Sequence, residues 1–275
     1  MTNPLDYATP GPFTDLTGID SAALETLPAD PLTICAPVPT MVIQPHDARP
    51  LGLPADRFAE RNIRPAAAIV RQLLALDAVD LTVPRPPDRR VIGTCRHFAV
   101  LATALLRHRG IPARARCGFA TYFQLGNGLD HWVIEYHDGD RWIRLDAEVL
   151  GGSVVSHPED LRPWQFLTGG EAWQAFRRNE IDAQQFGVHG TENWGPAEIM
   201  GNAVRDLAAL NKLEMLPWDE WGRMTEAYQG KTGPDYDELM DELATVCASD
   251  DTAAVTALYR HEALRVPVDL SEVPG

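Results

Sequence analysis

Three residues near the middle of the chain could carry nucleophilic acyl transfer: Cys95, His131 and Asp146. In such chemistry a thiolate attacks a carbonyl, an imidazole moves the proton, and a carboxylate fixes the imidazole's tautomer. Gly93 breaks the chain before Thr94-Cys95, and a helical pattern then runs to Arg109, where Gly110 and Pro112 stop it. Cys95 is thus expected to open a helix, where unpaired N–H groups and the macrodipole favour thiolate over thiol. Its own N–H could donate to an oxyanion; no second donor is identifiable from sequence. Burial as a small core residue is the plain alternative for this cysteine.

His131 begins a strand-like run to His137, and Asp138-Gly139 marks a turn before the partner run from Arg141 to Val149. A two-residue turn at Asp138-Gly139 puts residue 137 opposite 140, and so His131 opposite Asp146. Directly opposed Cβ atoms lie about 4.5–5.5 Å apart, within reach of a carboxylate–imidazole bond. A turn centred on Gly139-Asp140 shifts the pairing by two and keeps both residues on one face; a three-residue turn without a bulge separates them. The opposite face carries Trp132, Ile134, Tyr136, Ile143 and Leu145, so it is the expected core side. The His131 face also bears Glu135, Arg144 and Glu148, and reads as a polar surface with a site at one end.

Around this hairpin the chain supplies the elements that must hold it. Apolar spacing from Pro65 to Leu76 predicts a helix, and Ala113 to Phe123 predicts a strand. Residues 1–53 are proline-rich and are expected to be mainly extended, wrapping the core, with a loose tail over 1–15. Residues 54–150 form the expected catalytic core. Residues 151–275 read as a helical extension packed on it, with patterns at 170–178, 196–213, 217–228, 235–246 and 251–264. The fold class is α+β.

Composition narrows the function. A net charge of −15 argues against nucleic acid, since phosphate contacts need clustered Lys and Arg. No apolar run is long enough to span a membrane, and no secretory signal is visible. Cys35, Cys95, Cys117 and Cys247 are scattered, unlike a disulfide framework or a zinc site, so a reduced cytoplasm is expected. The Arg-rich, Lys-poor usage is that of a high-GC bacterium. Neither metal nor cofactor is expected.

His97 could rival His131 as base, but a first-turn side chain points away from the Cys95 thiol, so a structural role is expected. Cys117 reads as core, Cys35 and Cys247 as inert, and Arg114 and Arg116 as a solvated strand face. Gly126-Asn127-Gly128 is a loop beside His131 and not a phosphate cradle, because no helix follows it. Of Trp164, Trp173, Trp194, Trp218 and Trp221, most are expected to fill a core. Asn202, Arg205, Asn211 and Glu214 could add polar specificity to a cleft.

From Val91 to Glu148 the chain resembles the transglutaminase-like superfamily. The resemblance rests on Gly93-Thr-Cys-Arg-His-Phe-Ala, Leu105-Leu-Arg-His-Arg-Gly-Ile-Pro-Ala-Arg, Asp130-His-Trp-Val-Ile-Glu-Tyr and Trp142-Ile-Arg-Leu-Asp, in that order. It implies a papain-like core, a nucleophile helix packed on an antiparallel sheet, with Cys95, His131 and Asp146 as the triad. Arylamine N-acetyltransferases share the triad order, but their Arg-Gly-Gly before the cysteine is absent here. The superfamily holds transamidases, peptidases, peptide N-glycanases and inactive members. The reading is therefore a cysteine enzyme acting on an amide or thioester of a peptide or small molecule, with water or an amine as acceptor and hydrolysis favoured. A non-catalytic binding protein on the same fold is the rival. Substrate and oligomeric state are not legible.

Overall fold

The structure, a computed structural model, describes residues 5–271. The chain forms two compact units, each assembled from separated stretches. The first holds residues 7–115 and 133–161; the second holds Leu5, Asp6, 116–132 and 162–271. Among the described residues no helix is long and apolar enough to cross a membrane.

In the first unit the proline-rich opening is folded into short helices, α1 (Ser21–Glu25), α2 (Pro31–Cys35) and α3 (Pro45–Ala48), around strand β1 (Val42–Ile43), and is not the extended wrap expected. The prolines explain the difference. Pro31 and Pro45 occupy first-turn positions, where a missing N–H costs nothing and a fixed φ suits the helix. At Asp30 the carboxylate caps α2 by accepting the Thr33 N–H at 2.8 Å. The expected loose tail is also corrected over its described part: Tyr7 and Phe13 are buried, and their carbonyls accept the N–H groups of Ala113 and Ala66. Residues 1–4 lie outside the described residues.

Helix α4 (Ala66–Leu76) buries Ile69 and Leu73 from the apolar set at helical spacing, together with Val70. Strand β2 (Val91–Ile92) pairs in parallel with β1, Val42 against Val91 and Ile43 against Ile92, and delivers the chain to α5 (Cys95–His108). Residues 95–107 of α5 are all buried, its cations included. Those cations are partnered, as burial demands. Arg96 donates to the Arg64 carbonyl at 2.6 Å, and Arg107 donates to the Ala113 carbonyl and the Thr14 hydroxyl.

Strands β3 (Ala113–Ala120), β4 (Gly128–His137), β5 (Trp142–Leu145), β6 (Phe166–Thr168) and β7 (Phe186–Gly187) make one sheet in the order β5-β4-β3-β6, with β7 beside β4. Strands β3 and β4 each run through both units. The β4–β5 hairpin turns at Gly139-Asp140, closed by the Asp138 N–H on the Arg141 carbonyl at 3.1 Å. Glycine at the first turn position, with φ 111°, suits a two-residue hairpin loop.

In the second unit β6 lies against β3, with Gly118 opposite Thr168. A Cβ at Gly118 would stand 2.0 Å from the Leu167 carbonyl oxygen, so only glycine admits this approach. Helices α6 (Gly169–Arg177), α7 (Pro196–Leu210), α8 (Met224–Tyr228), α9 (Pro234–Cys247), α10 (Thr252–Tyr259) and α11 (Val268–Ser271) follow. Helix α6 opens with a reciprocal cap between Thr168 and Glu171. Helix α8 is shorter than the expected 217–228, because the Asp219 carboxylate takes the Leu216 N–H and holds that stretch in a turn. The class is α+β, with a helical C-terminal stretch.

Candidate functional site

Cys95 is the first residue of α5 and is 6% exposed. His97 closes the cap above it: its Nδ1 accepts the Thr94 N–H at 3.1 Å. Burial, aided by Arg96, pushes the His97 imidazole down to about 3, so it stays neutral and keeps this acceptor. Its place is structural, at the helix cap, as expected from its position in the first turn.

Asp146 lies in the same unit, just past β5, and is fully buried. The Asp146 N–H donates to the Pro158 carbonyl at 2.8 Å, and its Oδ1 accepts the Glu148 N–H at 2.9 Å. The Glu148 carboxylate in turn accepts Gln44 Nε2 at 2.9 and 3.1 Å. Gln44 directly follows β1, and the Gly93 N–H donates to the carbonyl of Ile43. One amide thus stands alongside the approach to Cys95 and holds the loop of Asp146. Gln44 was not legible beforehand, because a parallel pair joining residues 42–43 to 91–92 leaves no local pattern.

The register between β4 and β5 corrects the direct opposition of His131 and Asp146. Glu135 faces Arg144 and Ile134 faces Leu145, so the position opposite Asp146 is Val133. The turn centred on Gly139-Asp140, the second of the arrangements considered, is the one formed. Val133 and His131 alternate onto the same strand face.

That face is not the polar surface expected. Glu135 is 4% exposed and accepts Arg114 Nε at 2.7 Å and Arg144 Nη2 at 2.9 Å. Arg114 also stacks over the Trp142 ring at 4.0 Å. Arg116 pairs with buried Asp206. Neither arginine belongs to a solvated face: the strand is covered on both sides, and each guanidinium is buried with a carboxylate.

His131 lies in the second unit, on β4, and is 3% exposed. Aromatic edges surround it, with centroids at 5.0 Å for Phe123, 6.3 Å for Tyr122 and 6.5 Å for Phe166. Its neighbour Asp130 accepts Asn202 Nδ2 at 2.8 Å. The Asn202 Oδ1 accepts Arg205 Nη1 at 3.1 Å, and Arg205 pairs with Glu198, which also accepts the Tyr228 hydroxyl. Burial raises the Asp130 and Glu198 carboxyls, and Arg205 opposes the rise at both. Arg205 holds Asn202, and Asn202 reaches the residue beside His131. Asn211 does not; it bonds the Leu207 carbonyl of its own helix. Glu214 is buried.

The remaining residues divide. Cys35, Cys117 and Cys247 are buried thiols outside any disulfide; burial pushes the Cys35 thiol up to about 12. Trp173 and Trp221 are buried, but Trp164 and Trp218 are 51% and 45% exposed, so core filling does not account for most of the five tryptophans. Among the described residues no group of three or more His, Cys, Asp or Glu could hold a metal ion.

The family model of the transglutaminase-like superfamily matches residues 84–147, the stretch that holds Cys95, His131 and Asp146. No curated protein matches the chain. A solved structure, a candidate cysteine protease from Cytophaga hutchinsonii, is similar at 20% identity with a TM-score of 0.35. The similarity covers 53% of this chain and 43% of that one, so this chain spans less than half the length of that protein. Over residues 84–147, less than half of its length, the chain is similar to the transglutaminase-like superfamily.

Proposed function

We propose that the protein is a cysteine-dependent acyl-transfer enzyme, with Cys95 as nucleophile, His131 as base and Asp146 as the residue that orients the base. The observation that carries this reading is the placement of Cys95 as first residue of α5, inside the family-matched segment that also holds the other two. The α5 dipole and the first-turn N–H groups favour a thiolate there, and the Cys95 N–H can serve the oxyanion. The thiolate attacks the carbonyl of an amide or thioester, His131 hands the proton to the leaving group, and water resolves the acyl-enzyme. Hydrolysis is preferred to amine transfer because water needs no dedicated site.

Intact-protein mass spectrometry tests this with a panel of peptides, glutamine amides and acyl thioesters, using wild type and Cys95→Ala with and without a primary amine. An acyl adduct on wild type alone establishes the covalent step. Product that incorporates the amine replaces hydrolase by transamidase. Absence of adduct and turnover across the panel counts against the enzyme reading and favours a binding protein.

A further inference from the structure

The stretch from Thr121 to Leu129, a loop that runs into the first residues of β4, carries no charged residue, in a chain of which 23% is charged. It also exposes apolar side chains: Phe123 is 37% exposed and Leu125 wholly so. Phe123 and Tyr122 from this loop are the rings that border His131. The neighbouring stretch ahead of β6 behaves alike. Trp164 is half exposed, and residues 164–168 are uncharged. Trp164 has φ 69°, in the left-handed region that bulky side chains rarely adopt. The two stretches are tied together, since Thr121 donates its hydroxyl to the Trp164 carbonyl at 2.6 Å and its N–H to that of Gln165 at 2.9 Å. Exposed apolar groups gathered in one place on a protein mark binding sites.

We infer that Phe123, Leu125 and Trp164 form an apolar lip beside His131 that takes an uncharged, apolar side chain or acyl group of the substrate. The occupant follows from the surroundings. Phe123 borders His131 at 5.0 Å between ring centroids, and the lip offers an occupant rings and methyl groups from stretches, 121–129 and 163–169, that carry no charge of their own. Acidic or basic side chains at that position would lose hydration without compensation. The inference rests on His131 serving the reaction, and it narrows the substrate class from any amide or thioester to one with an apolar group near the reacting carbonyl.

Saturation-transfer NMR tests it, with N-acetyl-leucinamide and N-acetyl-glutamate amide as probes. Leu125→Ser and Trp164→Gly are combined in one variant; the first position is solvent-exposed and the second has a backbone that glycine prefers, so folding is retained and circular dichroism checks it. The leucine probe is expected to give at least five-fold more saturation than the glutamate probe on wild type, and to lose at least five-fold in the double variant. Equal signals from the two probes, or an unchanged signal in the double variant, overturn the lip. Cys95→Ala is expected to bind the leucine probe as wild type does. Binding that holds while Cys95 forms no adduct would sink the catalytic reading alone; an adduct without lip-dependent binding would sink the lip alone.

Discussion

Arg116 donates to both oxygens of the Asp206 carboxylate, through Nε at 3.0 Å and Nη2 at 2.8 Å, and both side chains are buried. The same carboxylate accepts the Cys117 N–H at 2.9 Å. Asp206→Ala strands a buried guanidinium and a strand amide together. Loss of one partner of such a pair costs roughly 3–5 kcal/mol, and Asp206→Asn, which keeps an acceptor, should cost less. Urea denaturation checks this, and a loss below about 1 kcal/mol for the alanine variant would contradict it.

His97 gives the fold an acid-sensitive element. Its folded pKa, near 3, lies below the ordinary 6.5, so the unfolded chain takes up a proton that the folded protein refuses. The stability His97 lends is full above pH 6.5 and is lost as pH falls toward 3. The slope reaches about 1.4 kcal/mol per pH unit between. His97→Gln keeps a side-chain acceptor for the Thr94 N–H and removes the titration. Wild type should lose stability faster than His97→Gln from pH 6 to 4; parallel curves would refute the assignment.

Gln44 is expected to matter without touching substrate. Through Glu148 it steadies the loop that carries Asp146, and small displacements in such loops are costly to rate. Gln44→Ala should slow Cys95 acylation by about 10- to 100-fold, and Gln44→Glu, which sets two carboxylates face to face, should slow it further. Thermal midpoints within a few degrees of wild type would separate positioning from unfolding. Unchanged acylation in both variants would remove Gln44 from the site.

The proposed triad predicts a ranking. Cys95→Ala should form no acyl-enzyme, His131→Ala should lose about 10³-fold or more, and Asp146→Asn should lose about 10²- to 10⁴-fold by leaving the imidazole in the wrong tautomer. Single-turnover acylation rates measure all three. An Asp146→Asn enzyme as fast as wild type would leave His131 oriented by another group.

Local signals were legible wherever the physics was local. Gly93 and Thr94 before Cys95 and Gly110 after α5 marked that helix within a residue, while alternation along β4 found its end at His137 and missed its first three residues, Gly128 to Asp130. The turn at Gly139-Asp140 was ambiguous because Asp-Gly and Gly-Asp are both good turn pairs. Burial of Arg114, Arg116 and Glu135 was not legible, since alternation shows which residues share a face but not what covers it. Gln44 and the lip residues depend on pairings across many positions, which leave no periodic trace. The proline-rich opening misled because proline breaks helices in their interior yet starts them well.

The interleaved units also govern how the protein is made. Asp206 follows Arg116 by 90 residues in the chain. At about 5–20 residues per second, translation leaves that guanidinium, and the half-finished strand it belongs to, waiting roughly 5–20 s for the counter-ion. The unit that carries His131 can close only after the helical stretch has emerged from the ribosome. A gene fragment ending near residue 161 would therefore encode Cys95, His131 and Asp146 and yet yield a chain that aggregates.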